Sequence, residues 1–185
     1  MLRRHEGKEL TKKDVLGVLE QIDNSLEGIQ RKIKLYCLGG TMLTLSDLRR
    51  LSKDMDFIAS RQDVRAISGT IAEIERTSQV RFDIFPDGAL PDYNYRDYAL
   101  HAKKAPLYFK NIELYYLDTA DIVLTKALAA RAVDYADINL VAPSPSEIPK
   151  EKLIERYEKI KPDSDKKEIL KNRFEKFIAE FYKQG

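Results

Sequence analysis

Two aspartates in the string LSKDMDFIA, Asp54 and Asp56, are the side chains of this chain best placed to do chemistry. On an extended strand, residues i and i+2 leave the same face with Cα atoms about 6.5–7 Å apart. Carboxylates that close repel each other unless a cation lies between them. An all-oxygen ligand set suits Mg2+, with Mn2+ as the alternative, completed by waters and phosphate oxygens. A third acid, Asp83, lies in the alternating string QVRFDIF, on the side shared by Arg81 and Phe85. Neighbouring strands run ~4.8 Å apart, so Asp83 could reach the same ion. Three carboxylates on two strands suit phosphoryl chemistry, in which an attacking hydroxyl is aligned and charge on a leaving pyrophosphate is neutralised. Asp83 is then a metal ligand or the general base toward the acceptor.

Upstream, Gly39 and Gly40 end a short β-prone run, IKLYCL, and open TMLTLSDLRRL, which reads as a helix. Glycine lets backbone approach a ligand closely, and a helix start offers N–H groups to an anion. Gly39, Gly40 and Thr41, whose hydroxyl adds a donor, are therefore the candidate seat for phosphates, with Arg50 or its neighbour Arg49 as an added cation. Each signal has a plain alternative. An Asp-x-Asp pair is most often solvated, a Gly-Gly is most often a turn, and a lone Asp83 is often surface. The ordered set is what points to one site: strand, Gly-Gly, helix, strand with Asp-x-Asp, helix, strand with Asp.

The elements that must position these residues follow from periodicity. Val15, Leu16, Leu19, Ile22, Leu26 and Ile29 predict an amphipathic helix over 11–31, with Thr11 and Asp14 at its start. Strands are expected at 33–38, 54–59 and 79–85, and a helix over 61–76. Residues 88–104 are tyrosine-rich and read as a surface excursion. PLYFKNIELYYLD (106–118) predicts a hairpin or a strand pair, with the turn near Lys110-Asn111. Asp118 and Thr119 are cap candidates for a helix to about 132, and a further helix follows to about 141. APSPSEIP (142–149) is the linker, so residues 1–142 are expected to form one α/β domain and 143–185 a C-terminal helical extension, with helices at about 147–160 and 164–183. The order predicts a mixed sheet flanked by helices.

The strings CLGGTMLTL, LSKDMDFI and VRFDIF resemble the nucleotidyltransferase superfamily, which has the polymerase-β-like fold. Their wording is most similar to the AbiEii-like and minimal nucleotidyltransferases of bacteria and archaea. Those show Gly-Gly-Thr-x-Leu and then a Thr-x-Asp-Ile-Asp-Phe-like string; here Ser52 stands for the Thr and Met55 for the Ile. The similarity spans roughly residues 33–140. It implies Mg-dependent transfer of a nucleotidyl group from a nucleoside triphosphate such as ATP to a hydroxyl acceptor on RNA, a protein or a small molecule. It also implies that LDTADIVLTKALAARAVDYADI (117–138) carries supporting residues, with Lys126 contacting the triphosphate or backing the acids. Arg131, Asp134 and Asp137 would orient neighbours. On one continuous helix Lys126, Asp134 and Asp137 would share an arc of about 80°; the plain alternative is a structural salt-bridge stripe. The group includes toxins of toxin–antitoxin pairs, so an antitoxin is an implied partner. A degenerate member that binds nucleotide or protein without catalysis is the alternative reading.

Composition limits the remaining classes. The 32 basic and 30 acidic residues leave +2, so no global field favours nucleic acid. One cysteine, Cys37, excludes an internal disulfide and suits a reducing compartment. The charged opening MLRRHEGKEL is not a signal peptide, and no apolar run approaches the ~20 residues of a membrane span; a cytoplasmic location is expected. His5 and His101 lie apart from any Cys/Asp cluster, which disfavours zinc. Neither a Gly-x-Ser-x-Gly elbow nor a P-loop occurs. Tyr93, Tyr95 and Tyr98, among Arg96, Lys103 and Lys104, could stack bases, though folded-back tyrosines are the commoner case. The apolar stripe Ile169, Leu170, Phe174, Phe177, Ile178 and Phe181 must bury against the core or a second copy, giving a homo-oligomer through the C-terminal helices.

Overall fold

A computed structural model describes residues 8–86 and 97–183. These form two compact units, 8–86 with 103–116 and 97–102 with 117–183.

In the first unit, β1 (Leu10–Thr11) leads into helix α1 (Lys12–Ser25). Thr11 and Asp14 cap it reciprocally: the Thr11 hydroxyl accepts from Asp14 N–H, and the Asp14 carboxylate accepts from Thr11 N–H at 2.9 Å. Strand β2 (Ile33–Cys37), helix α2 (Gly39–Leu45), β3 (Leu51–Ser52), β4 (Met55–Ala59), α3 (Arg61–Ser78) and β5 (Phe82–Pro86) follow, and β6 (Lys103–Lys104) and β7 (Ile112–Tyr116) complete the unit. The main sheet has the order β5-β4-β2-β7-β6, and β1 pairs with β3 in a separate two-stranded sheet. The sheet is mixed, as the sequence predicts: β2–β4 and β6–β7 are antiparallel, β2–β7 and β4–β5 parallel. One face, carrying Ile33, Leu35, Cys37, Met55, Phe57, Ala59, Ile112 and Leu114, is buried.

Several elements differ from their predicted spans for identifiable reasons. Helix α2 stops at Leu45 because Asp47 takes a left-handed conformation (φ 60) and the chain turns into β3. Strand β5 begins at Phe82 because Gln79 closes α3 in the left-handed region (φ 57). Pro86 is tolerated there because β5 is an edge strand. The expected strand pair forms, but its first strand, β6, lies upstream of residue 106, and Lys110-Asn111 is the entry to β7. The Asp23 carboxylate accepts from Lys110, Asn111 and Ile112 N–H at 3.0, 2.6 and 2.9 Å, holding that entry in place.

The second unit is helical: α4 (Thr119–Ala129), α5 (Ala132–Val141), α6 (Lys150–Glu158) and α7 (Lys167–Phe181), with 3-10 turns at Tyr98–Leu100 and Pro145–Glu147. Its core joins Val123, Leu124 and Leu128 of α4 to Leu153 of α6 and Leu170, Phe174 and Phe177 of α7. Leu170, Phe174 and Phe177 of the C-terminal stripe thus pack into this core, Ile178 and Phe181 are partly buried and Ile169 is exposed, and the units divide after Tyr116 and not at the predicted 142/143 linker. Tyr93, Tyr95 and Arg96 lie outside the described residues; Tyr98 is buried. Among the described residues no helix is long and apolar enough to cross a membrane.

Candidate active site

Strand topology alone brings the predicted acids to one end of the sheet. Antiparallel β2 and β4 bring the end of β2 to the start of β4, where Leu38 N–H meets the Asp56 carbonyl at 3.3 Å. Parallel β4 and β5 start at the same sheet end, with Asp56 and Asp83 as ladder partners. Partners in a ladder point to the same face, so Asp56 and Asp83 are neighbours there. Asp54, expected as the first residue of the strand over 54–59, lies instead in the bend one residue before β4.

A fourth side chain completes the arrangement. Arg81 stands opposite Asp54, one residue before the first ladder pair, and its carbonyl accepts from Met55 N–H at 2.8 Å. Its Nε lies 3.7 Å from Asp54 Oδ1 and its Nη2 4.0 Å from Asp83 Oδ1. Asp54 and Asp56 at the start of β4 and Arg81 and Asp83 at the start of β5 form the corners of a square, three carboxylates and one guanidinium. Arg81 was not singled out from the sequence, although its alternation with Asp83 placed both on one side.

The glycine turn is built against this square. Gly39 has φ +56, and a Cβ on it would fall 2.2 Å from Asp56 Oδ2. A Cβ on Gly40 would fall 2.6 Å from Ser52 Oγ and 3.6 Å from Arg49 Nη1. Of the two candidate arginines, Arg49 therefore reaches the turn, whereas Arg50 is exposed. Thr41 is fully buried. Its hydroxyl donates to the Asp54 carbonyl at 3.0 Å and accepts from Asp56 N–H at 2.7 Å. The hydroxyl expected to meet phosphate is thus committed to the backbone that carries the acids. Ser52, where the resemblance has Thr, donates a second hydrogen bond to the Asp54 carbonyl at 2.8 Å. Burial, then the Asp56 charge, pushes the Cys37 thiol up, which keeps this core thiol neutral.

The predicted supporting residues lie in the second unit. Ala130 is left-handed (φ 55), so α4 and α5 are separate helices, as expected near 132, and the shared arc of one continuous helix does not form. Lys126 is buried, with Nζ 2.5 Å from Asp137 Oδ2 and 3.5 Å from Asp134 Oδ1. Asp134 also accepts from Arg131 N–H at 3.1 Å and Nε at 2.7 Å, and burial is offset there by Arg131 and Lys126, which leave its pKa lowered. The four form one ionic corner between the helices. A second buried ionic group, whose partners lie 34 or more residues apart, carries no sequence signal. Arg156 contacts Asp121, and Arg156 and Lys152 lie 3.4 and 3.0 Å from Asp118 Oδ1. Burial raises the Asp121 pKa to about 6 against the opposing pull of Arg156, and its Oδ2 accepts no hydrogen bond.

As a metal site the square fits by its donors: hard oxygen ligands, and a net charge of two negatives that matches a divalent ion. It is not drawn together, since among the described residues no three His, Cys, Asp or Glu side chains are close enough to hold a metal ion.

A family model described as "Nucleotidyltransferase of unknown function (DUF6036)" matches residues 13–181. No curated protein and no solved structure matches the chain.

Proposed function

The chain belongs to the DUF6036 nucleotidyltransferases, and from that premise we propose that it transfers a nucleotidyl group from a nucleoside triphosphate to a hydroxyl acceptor at the Asp54–Asp56–Asp83 face. The observation that carries the reading is the ladder pairing of Asp56 with Asp83, beside a glycine whose Cβ the Asp56 carboxylate would not admit. Asp54, Asp56 and Asp83 would hold Mg2+ or Mn2+, which supplies charge neutralisation on the triphosphate and the departing pyrophosphate. The acceptor oxygen bonds to the α-phosphorus as the bond to the pyrophosphate oxygen breaks; Asp83 is the residue to take the hydroxyl proton. The backbone of Gly39 and Gly40, with Arg49, lines the place proposed for the phosphates. Thr41 and Ser52 act indirectly, by fixing the backbone between Asp54 and Asp56. Lys126, Arg131, Asp134 and Asp137 serve as supports of the α4–α5 corner. RNA, a protein side chain and a small molecule all fit a hydroxyl acceptor, and an antitoxin is a partner by resemblance alone.

Calorimetry with each triphosphate and Mg2+ tests the first step. Metal-dependent binding is expected in the wild type and its loss in Asp54→Asn/Asp56→Asn; equal binding by both proteins sinks the reading. Labelled triphosphate incubated with RNA and with the protein itself then identifies the acceptor. The ungathered carboxylates favour one second reading, a nucleotide-binding regulator, which predicts binding without transfer.

A further inference from the structure

We infer that Arg81 is a resident counter-cation of the acidic face, holding the place that a divalent ion must take by displacing it; this rests on the metal-binding reading above. Three observations carry it. The backbone pins Arg81 beside the acids, because its carbonyl accepts from Met55 N–H at 2.8 Å, directly after Asp54. Its guanidinium reaches both strands, with Nε 3.7 Å from Asp54 and Nη2 4.0 Å from Asp83. The three side chains are accessible, at 59% for Arg81, 32% for Asp54 and 41% for Asp83, so the contacts are long, solvated and readily exchanged.

The physical argument is charge balance. Carboxylates sharing one face repel unless a cation offsets them. A guanidinium forks between two carboxylates and cannot deprotonate, so it does this at every working pH. A divalent ion brings twice the charge on a smaller body and takes the carboxylate oxygens directly. Arg81 and the ion therefore compete for Asp54 and Asp83. Arg81 thus acts as a positioning residue: it keeps the acids apart from solvent cations of low charge and sets the concentration at which a divalent ion takes the face.

The test is a Mn2+ titration of the full chain, read by electron paramagnetic resonance of the free ion, without nucleotide. Arg81→Gln should bind Mn2+ about three- to tenfold more tightly than wild type, the range that one or two half-exposed ion pairs can withhold. Arg81→Lys should fall between them, because an ammonium keeps the charge but loses the fork. The thermal shift produced by Mn2+ should also be larger in Arg81→Gln. A purely structural role predicts weaker or unchanged binding in Arg81→Gln, and that result overturns the inference while leaving the metal reading intact. If Asp54→Asn and wild type both fail to bind Mn2+, the metal reading falls and this inference with it.

Discussion

Replacing Gly39 by alanine adds one carbon whose nearest neighbour is already in place. That carbon would lie 2.2 Å from Asp56 Oδ2 and 3.0 Å from its Cγ, on a residue with φ +56. Two costs follow. Holding a non-glycine residue in the left-handed region takes roughly 1–2 kcal/mol. Moving the Asp56 carboxylate off its rotamer takes on the order of 0.5–1.5 kcal/mol more. The sum, about 1.5–3.5 kcal/mol, should appear as a lower urea midpoint. Gly17 in α1 and Gly69 in α3 are internal controls, since a Cβ on either meets nothing within 4 Å. Alanine there should stabilise by about 0.5–1 kcal/mol through helix propensity. The two costs at Gly39 separate in a double-mutant cycle with Asp56→Ala, which removes the clash and leaves the backbone strain. Gly39→Ala within 0.5 kcal/mol of wild type would refute the reasoning outright. An equal cost with and without Asp56 would remove the close approach and leave only the turn.

Other expectations are as direct. Thr41→Val removes the hydroxyl that accepts from Asp56 N–H and one of the two hydrogen bonds to the Asp54 carbonyl, which keeps Ser52, and should cost about 1–3 kcal/mol in thermal or urea unfolding; Thr41→Ser should recover most of it. Lys126→Met removes the cation from the buried Asp134–Asp137 corner and should cost on the order of 3–5 kcal/mol, read by the same denaturation. Asp121 has a folded pKa of about 6, above its ordinary 3.8, so folding binds its proton. Its stabilising effect is complete below the ordinary value and declines as pH rises through about 6, by of order 3 kcal/mol. Urea midpoints from pH 4 to 7 should show that decline in wild type and a shallower one in Asp121→Asn.

The acids were legible because their signals are local. Alternation placed Arg81 and Asp83 on one side, the two-residue spacing placed Asp54 with Asp56, and the caps at Thr11 and Asp118 are short-range patterns. What could not be read depends on distant partners. That Thr41 turns inward follows from the antiparallel return of β4 beside β2, which no periodicity announces. The break between α4 and α5 is expected near residue 132, but not its form, since Ala130 adopts a left-handed φ without being glycine or asparagine. The unit boundary was misplaced because APSPSEIP has the composition of a linker while its neighbours α4 and α6 share a core. β1 and β3, two residues each, are too short to carry any pattern.

The Asp23 carboxylate has a bearing on how the sheet is assembled. Its three acceptor contacts bridge sequence separations of 87, 88 and 89 residues. β7 lies between β2 and β6, so an interior strand of the sheet arrives only after a long stretch of chain has been ordered or looped out. A slip of one residue there would turn Leu114 out of the core and Tyr115 into it. Asp23 works as a ratchet stop for that late arrival: it accepts three consecutive N–H groups in only one alignment. Such long-range closure slows folding, and the same carboxylate that sets the register should sit in the step that limits it.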